Sequence, residues 1–188
     1  MVMEVNGYRI EPGADLNGAD LRGVDLSNAN LQLARLSGAN LTGANLTGAH
    51  LADAYLSRTN LTRANLTRAG MWGAKLFGAN LSGANLSRVN LRDSQLQDAD
   101  LTRADLTEAN LTNSRLNKAN LTGANLTGAD FTGADLTGVN LTGADLTGTK
   151  LPSKKQASKQ PERRIDNWDT SYSLLNDFDR DEIGEDFW

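Results

Sequence analysis

The chain has 188 residues, no cysteine, few aromatics and a formal net charge of −4. Without thiols it has neither a disulfide framework nor a thiolate metal site, and no stretch nears the ~20 apolar residues of a membrane span. The opening MVMEVNGYRI has no apolar run that would serve as a signal peptide, so the expectation is a cytoplasmic protein with no membrane partner.

Residues 1–13 read as a small β cap. Met3-Glu4-Val5 and Tyr8-Arg9-Ile10 flank Asn6-Gly7, and an Asn-Gly pair between short apolar runs is a strong hairpin signal. Glu11-Pro12-Gly13-Ala14 then has the layout of a first corner, with proline ahead of glycine.

From residue 14 to 153 one five-residue unit recurs, with the consensus Ala-(Asn or Asp)-Leu-(Ser or Thr)-Gly. Every fifth position from 16 to 151 is Leu, except for Met71 and Phe131. Such a short fixed period signals a repeat architecture. On a straight helix these leucines would spiral over all faces, and on a long strand they would alternate between two sides. A single core collects them only if the chain turns once per repeat. Ala and Leu then point inward from an extended Ala-x-Leu segment, and the Asn or Asp between them points out. Glycine two places after the central residue, as at Gly18, Gly43, Gly83 and Gly128, supplies the positive φ of a type II corner. The period alone leaves three, four or five sides open.

The run Ala39-Asn40-Leu41-Thr42-Gly43 and its copies resemble the pentapeptide-repeat family over about residues 14–153. The resemblance implies an all-β, right-handed quadrilateral β-helix, with four repeats to a 20-residue coil and about seven coils. At about 4.8 Å per coil the rod would be about 34 Å long. Its Leu/Ala interior leaves no room for a ligand pocket, and the outward amides are expected to hydrogen-bond along the rod.

Leu151-Pro152 stops the pattern. Residues 154–165 carry five basic side chains and one acidic one and read as a linker. Residues 166–188 carry eight acidic and one basic side chain, whereas residues 1–153 are near balance at net −1. Within this acidic-aromatic tail Trp168, Tyr172, Leu175 and Phe178 recur at spacings that suit one face of a short helix. That segment is expected to cap the last coil, to dock a partner or to self-associate, in cis or between rods.

The consensus breaks in an ordered way. The outward Asn/Asp position is filled otherwise at Arg35, His50, Tyr55, Gly70, Lys75, Gln95, Arg115 and Lys150. Five of these, Arg35, Tyr55, Lys75, Gln95 and Arg115, lie 20 apart and would stack on one side of a four-sided rod, between Asp15 and Asp135. Arg58 and Lys118 replace glycine at its corners, and Trp72 and Phe77 take outward Ser/Thr positions. Arg35, Tyr55, Arg58, Trp72, Lys75, Phe77 and Arg115 thus form a basic-aromatic strip of the residue types that dominate binding hot spots. The plainer reading is a tolerant exterior on which Trp72 covers Phe77.

No catalytic set emerges, since His50 is the lone histidine and the serines occupy turn positions. Flat Asn/Asp stacks lack the convergent oxygen cage that calcium needs, so no cofactor is expected. The leading expectation is a non-enzymatic scaffold that binds a protein partner through the strip or the tail; no nucleic-acid partner is expected of so acidic a chain. The family resemblance implies an alternative, because some pentapeptide-repeat proteins resemble B-form DNA, bind DNA gyrase and protect it from quinolones. That mimicry requires a strongly acidic rod with frequent central Phe, and this rod has net −1 and Phe131 alone.

Overall fold

The computed structural model describes residues 3–152. The linker at 154–165 and the tail at 166–188, with Trp168, Tyr172, Leu175 and Phe178, lie outside the described residues.

Two strands, β1 (Met3–Val5) and β2 (Tyr8–Ile10), pair antiparallel with Met3 opposite Ile10 and Val5 opposite Tyr8. Asn6 and Gly7 both take positive φ, at 52° and 79°, which is the requirement of a two-residue type I′ turn. Ile10 is buried, and Val5 and Tyr8 pack against the same core as the repeats. The Asn6 side chain ties the hairpin to the first repeats by donating to the Asp20 carbonyl at 3.2 Å.

Beyond the hairpin the consensus repeats between the end coils share one bonding pattern, and the repeat at Leu41 shows where each backbone N–H goes. Leu41 N–H donates to the Asn60 carbonyl at 2.7 Å, and Gly43 N–H donates to the Thr62 carbonyl at 2.9 Å. Asn45 N–H donates the opposite way along the rod, to the Val24 carbonyl at 2.9 Å. Ala44 N–H closes the corner on the Leu41 carbonyl at 3.0 Å, with Gly43 at φ 65° as a type II turn requires. One donor is left, Thr42 N–H, and the Asn40 side chain accepts it at 3.1 Å. Five donors find five acceptors.

These bonds set the register. Parallel bridges join residues 20 apart in four ladders among the described residues, running from Asp15 to Asp135, from Asp20 to Asn140, from Asp25 to Asp145 and from Asn30 to Lys150. The coil is therefore four repeats around, as the four-sided reading requires.

The interior is one column of central Leu and small Ala side chains. From Leu16 to Phe131 the central residues are at most 1% exposed. Three polar residues replace the small Ala inside, and each finds a carbonyl: Thr59 donates to Leu36, Ser94 to Leu91 and Ser114 to Leu111. In the last coil Leu141, Leu146 and Leu151 are only half-buried.

Burying each leucine contributes about 1.5–3 kcal/mol, and an ionised carboxylate in its place has no partner inside the column. Leu81→Asp, at a site 1% exposed, is expected to abolish the cooperative thermal transition followed by circular dichroism. A wild-type melting curve would contradict the inward assignment.

Candidate functional site

The outward Asn/Asp position is not a free choice. On most repeats its Oδ1 accepts the backbone N–H two residues on, and usually the hydroxyl of the same residue. Asn60 with Thr62, Asp100 with Thr102 and Asn125 with Thr127 show both bonds, at 2.5–3.1 Å. These are Asx turns, which Asn and Asp make because their short side chains reach just that far. The amides therefore bond mainly back to their own corner. This corrects the expectation of amide ladders along the rod, which survive only in isolated bonds such as Asn45 to Asp25 at 3.0 Å.

All eight exceptions fall on two ladders. Arg35, Tyr55, Lys75, Gln95 and Arg115 form successive bridges of the Asp15–Asp135 ladder, and His50, Gly70 and Lys150 lie on the Asn30–Lys150 ladder. The other two ladders are Asn or Asp throughout. On the Asp15–Asp135 face none of the five replacements accepts the corner N–H. Only Ser37 recovers a substitute, from Asn17 Oδ1 of the preceding coil at 3.0 Å.

The same face carries the large apolar side chains that the rod exposes. Two corner columns border it, one holding positions 32–33, 52–53, 72–73, 92–93 and 112–113, the other positions 37–38, 57–58, 77–78, 97–98 and 117–118. Among the described residues beyond the hairpin, the exposed large apolar side chains are Leu33 (51%), Tyr55 (42%), Trp72 (47%) and Phe77 (45%). Tyr55 is on the ladder, Leu33 and Trp72 are at one corner, and Phe77 is at the other. Trp72 and Phe77 flank Lys75 from opposite corners and both stay about half exposed, so covering Phe77 is not the role of Trp72. Leu33 escapes the consensus argument, although the signal was present: Gln32-Leu33 stands where Thr-Gly is usual. A bulky residue at φ 60° costs about 1–2 kcal/mol.

Charge follows the same geometry. Lys75 Nζ lies 4.5 Å from the Tyr55 ring centroid, in cation–π range. Arg35 pairs with Asp15 at 3.5 Å, and Arg92 pairs with Asp93 at 3.1 Å. Between positions 32 and 118 the face and its corners hold Arg35, Arg58, Lys75, Arg92, Arg115 and Lys118 against Asp53, Asp93 and Asp98. This patch is net basic on a rod that is otherwise slightly acidic. The structure thus brings Arg35, Tyr55, Arg58, Trp72, Lys75, Phe77 and Arg115 together on one face and its edges. Among the described residues no group of three or more His, Asp or Glu side chains is set to hold a metal ion.

Residues 13–43, 44–83, 84–123 and 114–151 match the description "Pentapeptide repeats", in 8 copies. The chain belongs to the pentapeptide-repeat family. Pentapeptide-repeat proteins fold as right-handed quadrilateral β-helices and are in general structural or interaction proteins, not a catalytic family. Among solved structures this chain is similar to HetL, a pentapeptide repeat protein involved in heterocyst differentiation regulation in the cyanobacterium Nostoc sp. strain PCC 7120. The two share 32% identity over 76% of this chain and 84% of HetL, with a TM-score of 0.38. A pentapeptide repeat protein from the Arabidopsis thaliana thylakoid lumen is 32% identical over 60% of this chain and 68% of its own, with a TM-score of 0.42. A trypsin-treated form of QnrB1, a plasmid-mediated fluoroquinolone resistance protein, is 24% identical over 80% of this chain and 88% of its own, with a TM-score of 0.43. The comparison with curated proteins yields no match.

The Asx turns carry a pH dependence. The Ser27 backbone N–H holds the Asp25 carboxyl below its ordinary 3.8, and the Thr132 and Thr147 hydroxyls do the same for Asp130 and Asp145. Arg22 lowers Asp20, chiefly through its side-chain hydrogen bond. A carboxyl lowered by folding contributes stability that is whole above its unfolded value and lost as pH falls through its folded value. The melting temperature is therefore expected to stay level from neutral pH to about 5 and to drop below about 4. A melting temperature that rises on acidification, in melts across that range, would contradict the Asx-turn account.

Proposed function

We infer that the protein is a non-enzymatic, rigid scaffold that binds a protein partner through the Asp15–Asp135 face. In this reading the rod has about seven coils, closed at its first end by the β1–β2 hairpin, and presents Tyr55, Trp72, Lys75 and Phe77 as the centre of the contact. Arg35, Arg58 and Arg115 steer and orient the partner around that centre. The observation that carries the reading is the confinement of Leu33, Tyr55, Trp72 and Phe77, the rod's exposed large apolar side chains, to one face and its corners.

A tolerant exterior would scatter such residues over four sides. It would also keep the Asx acceptor wherever nothing else is selected, since a hydrogen bond contributes about 0.5–1.5 kcal/mol net. This face forgoes that acceptor at five consecutive rungs and puts hot-spot residue types there instead. Aromatic and Arg side chains on a stiff backbone bind at a low entropic cost, because little must be ordered on contact.

The test is affinity capture and direct titration with the intact protein and with the triple variant Tyr55→Ala, Trp72→Ala, Phe77→Ala. The expected result is an unchanged melting temperature and a partner affinity at least ~30-fold weaker, as loss of a hot spot worth ~2 kcal/mol requires. A substitution on the opposite side, Thr47→Glu, is expected to leave binding unchanged. Full retention of the partner by the triple variant would overturn the assignment of this face. Capture of DNA gyrase by both proteins would favour the DNA-mimic alternative.

A further inference from the structure

The occupied corners, the charge layout and the point where the chain leaves the repeats together bear on what else this face can hold. Phe131 N–H donates to the Lys150 carbonyl at 2.7 Å, and Asp130 bridges Lys150. Position 152 is therefore in register with positions 132, 112, 92, 72 and 32, the corner column that holds Trp72 and Leu33. The chain leaves the rod at the edge of the exposed face and not on the opposite side.

From that exit Trp72 is four coils away, Tyr55 between four and five, and Leu33 about six. At about 4.8 Å per coil the distances along the rod are about 19 Å to Trp72 and 29 Å to Leu33. Residues 153–167 separate the exit from Trp168, and fifteen residues span at most roughly 50 Å. The reach is sufficient with slack.

Charge and apolar content match in the same order along the rod. The coil nearest the exit presents Asp135 and no basic residue on this face, and the first residues to leave are followed by Lys154 and Lys155. Farther along the face come Lys118, Arg115, Lys75, Arg58 and Arg35, around Tyr55, Trp72 and Phe77. Farther along the chain comes the 166–188 segment, with eight acidic side chains, one basic one, and Trp168, Tyr172, Leu175 and Phe178. The two orders are complementary in charge: basic against acidic near the exit, and acidic-aromatic against basic-aromatic beyond it.

We propose that residues 166–188 dock in cis on the Leu33–Tyr55–Trp72–Phe77 face of their own rod and mask it, so that a partner binds only by displacing them. The proposal rests on the reading of this face as the binding surface and supplies its regulation. The segment acts as an internal competitor: at the short tether lengths involved its effective concentration is in the millimolar range, so a weak contact suffices to occupy the face.

The absence of cysteine from the whole sequence makes the test direct. In the full chain, Ser173→Cys is combined either with Ser57→Cys, beside the face, or with Thr67→Cys, on the far side of the rod. Both pairs are spin-labelled, and distances are read by pulsed electron paramagnetic resonance. The expected result is one narrow distance for the Ser57 pair, shorter than for the Thr67 pair, unchanged on dilution with unlabelled protein. It should broaden with Trp72→Ala plus Lys75→Glu. A broad distribution indifferent to those substitutions would overturn the proposal, as would equal distances for both pairs, which place the segment over the end of the rod. Loss of the short distance on dilution would assign the face to the segment of a second copy and overturn docking in cis. The readout involves no partner, so its failure leaves the proposed binding face standing, and failure of the partner test does not alter it.

Discussion

The structure depends on one constraint: each five-residue unit must satisfy five backbone N–H groups while turning a corner. Three of them bond to neighbouring coils, one closes the turn, and one is left for a side chain. The consensus follows from that accounting. Leu and Ala are set by the closed column inside, a turn residue tolerant of positive φ is set by the corner, and Asn or Asp is set by the single donor that the backbone cannot serve. Stacking then pairs every coil with the next, which makes the fold nearly one-dimensional, with each repeat leaning only on its neighbours.

The same accounting gives meaning to the exceptions. An Arg, Tyr, Lys or Gln at the Asx position is no neutral surface change, because a corner N–H loses its acceptor. A non-glycine residue at positive φ also costs energy, and Leu33 does so while gaining no burial. A single such site would mean little. Five rungs of one ladder, together with the exposed aromatics at both of its corners, concentrate the departures where a rigid wall faces outward. The core has no comparable departures: its three polar residues are all hydrogen-bonded inside the column. The departures thus fall at outward positions of the five-residue unit, while its inward positions keep the column closed.

Much of this is legible in the sequence. Asn6-Gly7 announced the hairpin, since few pairs accept positive φ at both turn positions. The 20-residue spacing of Arg35, Tyr55, Lys75, Gln95 and Arg115 announced one face. The direction of the amide bonds was not legible, because a local Asx turn and a ladder along the rod use the same residues and differ only in backbone geometry. Leu33 is hard to single out for a related reason, since a leucine among leucines signals nothing until its position in the repeat is taken as a corner. Trp72 and Phe77 stand out by their positions in the repeat, but whether one covers the other depends on which corners they occupy.

The sequence by itself determined the period, the inward column and the location of its own irregularities, because periodicity is a property of order along a chain. Tertiary structure decided which irregularities are neighbours. Leu33, Tyr55, Trp72 and Phe77 are spread over 45 residues of the chain and share one patch only because four corners return the backbone to the same side every 20 residues. Side-chain reach decided the rest. A carboxamide two bonds from the backbone closes on its own corner, and the longer side chains that replace it on this face are turned outward.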